Sequence, residues 1–108
     1  MPGLSAFAES ERNVTARSSE GLDERRRKML FRAWHRGLRE ADLILGRFAD
    51  AHLATLDDME LAQFDRLLEA PTRDIVSWVM GEFTPPPEDD TPLFRRLCEF
   101  YALKGQAE

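Results

Sequence analysis

The chain has 108 residues, a formal net charge of −5 and a single cysteine, Cys98. That length supports one modest core, the acidic balance argues against a grip on nucleic acid by bulk electrostatics, and a lone cysteine excludes an internal disulfide. No apolar run approaches the ~18 residues of a membrane span and no Cys/His cluster has zinc spacing, so no membrane and no metal partner are expected, in a reducing, cytoplasmic setting.

The first twenty residues are rich in Ser, Glu, Arg and Asn without a sustained apolar period, and are expected to be a flexible tail. Glu9, Glu11 and Glu20 fit a transit peptide poorly, because such segments are acid-poor. From Gly21 the pattern is helical. Leu22, Met29 and Ala33 share one stripe with Leu30 and Trp34 beside it, while Lys28, Arg32 and His35 lie opposite. Asp23 and Glu24 are expected in the first turn and Arg36 in the last, with Gly37 as the left-handed residue that ends the helix.

A second helix should begin at once, with Ala41, Ile44, Leu45, Phe48 and Ala51 at spacings of three and four. Gly46 lies inside it at a cost of about 1 kcal/mol relative to Ala, which a close crossing with another helix would explain. The third helix has a start signal in Thr55 with Asp58 three residues on, an apolar set of Leu56, Met59, Phe64, Leu67 and Leu68, and an end at Pro71. Thr72 should cap a short fourth helix through Ile75, Val76, Trp78 and Val79, buried on most sides and stopped by Gly81. The proline run at 85–87 predicts a stiff connection, and Thr91 with Pro92 predicts the N-cap and first position of a final helix carrying Leu93, Phe94, Leu97, Cys98, Phe100 and Tyr101. No segment alternates with a period of two. The expected fold is all-α, a compact bundle of about five short helices over residues 21–104.

Catalytic motifs are missing from the sequence. There is no Gly-rich phosphate loop, H-E-x-x-H, G-x-S-x-G or calcium loop, and His35 and His52 are unaccompanied. Cys98 sits on an apolar stripe, where a small buried hydrophobe is the ordinary reading. No catalytic residue is assigned and no enzyme is expected. The seven basic residues from Arg25 to Arg39, uninterrupted by an acid, raise a DNA-recognition helix as one reading. Against it stand the net negative charge and the lack of a second basic element.

The stretch "HRGLRE", 35–40, admits two compatible readings. In one, Arg36 complements a helix C-terminus, Gly37 turns the corner and Glu40 complements the next N-terminus. In the other, the same corner presents a guanidinium and a carboxylate to another protein beside a residue with no side chain.

The sequence "RRRKMLFRAWHRGLREADLILGRFAD" resembles the SdhE-like succinate dehydrogenase assembly factors, or flavinators: a basic helix, then R-G-x-x-E, then an acid and an apolar run. Arg36, Gly37, Glu40, Asp42 and the segment "LILGRF" carry the match. A second block, "RLLEAPTRDIVSWVMG", places Asp74, Ile75, Trp78 and Gly81 on the family pattern, with Thr72 where an acid is usual. The resemblance spans roughly residues 22–101. It implies a five-helix domain that promotes covalent attachment of FAD to the flavoprotein subunit of succinate dehydrogenase, and in some members of fumarate reductase. The bond forms on a histidine of the client, so the factor needs an interface rather than a nucleophile and holds no FAD of its own. The residues this marks for partner binding are Arg36, Gly37 and Glu40, with Arg32, Arg39 and Asp42 around them, in a protein expected to be monomeric when free and to bind no nucleic acid. The reading from a different class is a small antitoxin-like or regulatory helical protein that uses its basic helix on a protein or nucleic acid.

Overall fold

Five α-helices and short turns make up residues 21–105, the part of the chain that the computed structural model describes. The expected tail at 1–20 lies outside the described residues. The helices are α1 (Glu24–Trp34), α2 (Arg39–His52), α3 (Asp58–Leu68), α4 (Thr72–Val79) and α5 (Pro92–Phe100). One 3-10 turn follows α2 at Leu53–Thr55, another lies at Pro87–Asp89, and a π-helical turn, Tyr101–Gly105, closes the described chain. The described residues contain no strand, in line with the all-α expectation.

The central element is α2. It packs most extensively on α1 and also touches α4, α5 and the final π turn. Its Ile44, Leu45, Phe48 and Ala49 share one buried cluster with Leu30 and Ala33 of α1, Leu61, Phe64 and Leu67 of α3, Ile75 of α4, and Leu93 and Leu97 of α5, and Ala41 is buried as well. Phe48 meets Phe64 and Phe100 edge-on, with ring centroids 5.8 and 5.7 Å apart, an arrangement aromatic quadrupoles favour. Burying a side chain such as Phe48 contributes about 1.5–3 kcal/mol.

Gly46 shows why a glycine belongs inside α2. A Cβ built there would lie 2.3–2.6 Å from three atoms of the Trp34 indole, so the ring rests directly on the helix backbone. The indole Nε1–H then donates to Asp50 Oδ1 at 3.2 Å, one turn further along α2. The close crossing expected at this glycine is therefore the seat of one aromatic ring.

Several helix ends differ from the sequence expectation, each for a physical reason. Asp23 is the N-cap of α1 rather than part of its first turn, its carboxylate accepting from Arg26 N–H at 2.8 Å. The helix stops at Trp34, and His35 is its C-cap. Gly37, at φ +82°, turns the corner two residues later. The third helix starts at Asp58, capped by Asp57, not by Thr55. Both pairs fit a capping box on paper, but Glu60 is long enough to reach back. It accepts from Asp57 N–H at 3.0 Å while Asp57 accepts from Glu60 N–H at 2.8 Å. Thr55 instead donates to His52 C=O, and Leu56 is buried just ahead of the helix.

Met59, expected in the core, is 69% exposed. Thr72 is the first residue of α4, whose N-cap is Pro71 without a side-chain bond. That helix buries one face, Ile75 and Val79, and leaves Met80 beyond it partly exposed. Gly81 follows at φ +81°, and Thr91 caps α5 by accepting from Phe94 N–H at 3.1 Å, with Pro92 in its first turn.

Candidate partner-binding site

The α1–α2 corner, His35 to Glu40, is held from three sides. Asp42 Oδ1 accepts from Arg36 N–H at 2.7 Å, so the first turn of α2 pins the residue before the glycine. The Arg36 guanidinium runs across the molecule, donating to Leu68 C=O at 2.7 Å and Ala70 C=O at 2.9 Å. These carbonyls lie at the C-terminal end of α3, where a helix leaves its last acceptors unsatisfied and its dipole favours a cation. Arg36 thus does complement a helix C-terminus, but that of α3 rather than its own. Its Nε is buried without a hydrogen-bond partner, and burial, followed by the neighbouring Arg32 charge, lowers its pKa from the usual arginine value against the opposing pull of Asp42 and Glu69.

Arg32, one turn earlier on α1, pairs with Asp65 Oδ1 at 2.7 Å and Glu69 Oε2 at 2.8 Å on α3. Arg26 makes a similar tie at the other end of α1. It donates to Leu53 C=O at 2.9 Å and Leu56 C=O at 2.6 Å, beyond the end of α2. Three of the seven basic residues between 25 and 39 therefore work as internal staples. This removes much of the phosphate-gripping charge that a DNA-recognition helix requires.

The six residues marked from the sequence divide into two sets. Arg32, Arg36 and Asp42 are half-buried and engaged within the fold. Gly37, Arg39 and Glu40 are exposed, and the Arg39 and Glu40 side chains have no hydrogen-bond or ion-pair partner among the described residues. A Cβ at Gly37 would meet nothing within 4 Å, so the surface beside the turn is open to an approaching backbone. Phe31, 56% exposed, lies one turn before His35 on α1, and the two rings stack at 4.0 Å. No group of three or more metal-ligating side chains converges among the described residues, and no helix there is long and apolar enough to cross a membrane.

Sequence reasoning missed the cross-chain uses of Arg26 and Arg36. Their acceptors lie 27 to 34 residues away and are backbone carbonyls, which leave no trace in residue identity. The only available signal was an excess of arginine over lysine in α1, since a planar fork suits paired carbonyls.

Fold and corner together define a class: a small all-helical domain that offers a stapled, bare corner at its surface. The profile of the family described as "Flavinator of succinate dehydrogenase" matches residues 27–101, most of the helical domain. The chain is 34% identical over 90 residues to a protein named FAD assembly factor SdhE from Acetobacter pasteurianus, covering 83% of each chain. It is 31% identical over 103 residues to a Succinate dehydrogenase assembly factor 2, mitochondrial, from Meyerozyma guilliermondii, covering 95% of this chain and 73% of that one. A protein of the same name from Saccharomyces cerevisiae is 33% identical over 88 residues, 78% of this chain and 54% of that one. The chain belongs to the flavinators of succinate dehydrogenase, a family of assembly factors that serve flavin attachment.

Proposed function

We propose that this protein promotes covalent attachment of FAD to the flavoprotein subunit of succinate dehydrogenase by docking its α1–α2 corner on that subunit and holding it in the reactive conformation. The observation that carries this reading is the corner's division of labour. Arg36 and Asp42 fix the turn from inside, which leaves Gly37, Arg39 and Glu40 outward and uncommitted. A rigid corner loses little freedom on binding, and two unpaired charges of opposite sign fix the register of a partner. In this reading the factor works as a cytoplasmic monomer without catalytic residues of its own, and fumarate reductase is a second client of the same chemistry. In the same reading FAD is cargo that the client carries.

The test is covalent flavin fluorescence on the denatured flavoprotein subunit, in cells lacking the factor and complemented with variants. Gly37→Asn separates strain from contact, because asparagine tolerates a left-handed φ far better than other residues yet places a side chain on the open face. Gly37→Asn should lower the melting temperature slightly, from the strain of a side chain at φ +82°, and lower flavin attachment well beyond that loss, whereas Glu40→Ala should lower attachment at an unchanged melting temperature. Full attachment with both variants would refute the corner as the docking centre.

A further inference from the structure

A groove of about 450 Å³ opens on the side of the corner where Arg36 is anchored. It runs between the end of α3, the start of α4 and the proline-rich connection. Trp78, Ala70, Pro71 and Pro86 supply its apolar walls, and Asp74 and Asp89 stand at its edges with Arg66 and Glu69. Trp78 is half-buried, packed against the core on its inner side while it lines the groove. Its indole N–H has no partner among the described residues, in contrast to that of Trp34.

The charge around the groove is unbalanced. Glu69 pairs with Arg32, and Glu88 and Asp89 share Arg66 at the long distances of 3.5 and 3.6 Å. Asp74 has no ion-pair partner among the described residues. Among the lining residues three carboxylates, Glu69, Asp74 and Asp89, stand with one guanidinium, Arg66, and the Arg36 guanidinium reaches the same end at the Ala70 carbonyl, which still leaves the rim negative. Only 8% of the surface of Asp89 is exposed, and its one cation among the described residues, Arg66, lies beyond ordinary hydrogen-bond reach. This loose pairing leaves room for a better-placed cation.

We propose that the groove is a second docking point for the flavoprotein client, and that it receives an arginine or lysine side chain of that client. The apolar stem would lie along Trp78 and the two prolines, with its charged head between Asp74 and Asp89. The three features required occur together: an aromatic face for the cation, apolar walls for the stem, and carboxylates not matched by the chain's own bases. Continuity favours the same client. Ala70, which lines the groove, is also the residue whose carbonyl Arg36 binds. The proline connection makes one wall stiff before any partner arrives. The identity of the occupant's source rests on the flavoprotein reading above, whereas the groove's preference for a cation does not.

Two measurements separate these. The first titrates the ¹⁵N-labelled full chain with acetyl-arginine amide and, in parallel, with the uncharged acetyl-citrulline amide. The Trp78 indole resonance, assigned with Trp78→Phe, should shift with the arginine compound at least threefold more than with citrulline. Asp74→Asn should abolish that difference. Equal shifts with both compounds, or shifts at Trp34 alone, would overturn the cation site whatever the client is.

The second measures binding of the flavoprotein subunit at low salt. Asp74→Lys should weaken it at least tenfold and flatten its salt dependence. Asp58→Lys makes the same charge change in the first turn of another helix, roughly 16 Å along α3 from Glu69, and should stay within twofold of the parent chain. Equal weakening by both variants would reduce the effect to net charge and overturn the site, as would no weakening by Asp74→Lys. Circular dichroism of each variant excludes loss of fold as the cause. Should the parent chain fail to bind the subunit at all, the client assignment falls and the arginine titration decides the groove alone.

Discussion

Substituting Gly46 by alanine would ordinarily stabilise a helix by about 1 kcal/mol. Here the added methyl would sit 2.3–2.6 Å from the Trp34 ring, whereas carbon atoms in contact prefer roughly 3.5–4.0 Å. The indole must therefore move outward by about 1–1.5 Å. That displacement stretches its bond to Asp50, already 3.2 Å long, and separates α1 from α2 at their most extensive contact. Overpacking of this kind costs about 1–3 kcal/mol, and loss of an exposed hydrogen bond adds about 0.5–1 kcal/mol. Offset by the propensity gain, the net expectation is a destabilisation of about 0.5–3 kcal/mol. For a domain of this size that corresponds to a fall in melting temperature of about 2–24 °C. Thermal denaturation followed at 222 nm measures it, and tryptophan emission should shift to the red as the ring gains solvent. Trp34→Ala combined with Gly46→Ala should be less harmful than the sum of the two single changes, because the methyl then fills part of the space the ring vacates. A Gly46→Ala variant with a raised melting temperature, or strictly additive effects in the double variant, would refute the direct seating of the ring on the backbone.

Further outcomes follow from the stapled corner and the last helix. Arg36→Gln removes the cation from Leu68 and Ala70 C=O and should cost about 2–3 kcal/mol in urea denaturation, because hydrogen bonds to charged groups contribute about 1.5–3 kcal/mol each and these are partly solvated. Glu40→Ala should change stability by less than about 0.5 kcal/mol, as an exposed residue without a partner would. The pair thus separates a stabilising residue from a presenting one within a single motif. Burial, assisted by Asp90 and Glu99, raises the Cys98 pKa above the ordinary thiol value. Alkylation of the native chain at pH 8 should therefore be slower than of the urea-unfolded chain. The folded state favours the protonated thiol, so this contribution is fully present below the unfolded thiol pKa of about 8.5 and is lost as pH rises through the raised folded value.

Much of the fold was legible because helix signals are local. The three- and four-residue spacing of Ile44, Leu45 and Phe48, the Thr91–Pro92 start and the stop at Gly81 each involve neighbours in the chain, and all reappear in the structure. Errors arose where two local signals competed. Thr55 and Asp57 both offer a capping box three residues ahead, and the longer reach of Glu60 decided between them. Met59 matched the apolar period but fell at the start of α3, on the solvent side. In the candidate site, Gly37 was legible as a turn because only glycine adopts φ +82° without strain. The inward use of Arg36 was not legible, since its partners are carbonyls supplied by a helix more than thirty residues away. The groove was hidden for a similar reason: Trp78 and Pro86 belong to segments that meet only once the helices pack.

The Arg36 fork also bears on when order is acquired. By joining the turn after α1 to the turn after α3, it makes two loops part of a single cooperative unit. Neither loop can open without exposing carbonyls that the other supplies or satisfies. Amide exchange at Arg36, whose N–H donates to Asp42, should then slow together with exchange at Ala70, whose N–H donates to Leu67 C=O, both approaching the rate set by opening of the whole domain. The ordering of this surface is completed during folding, so an encounter with a partner begins from a shape already set.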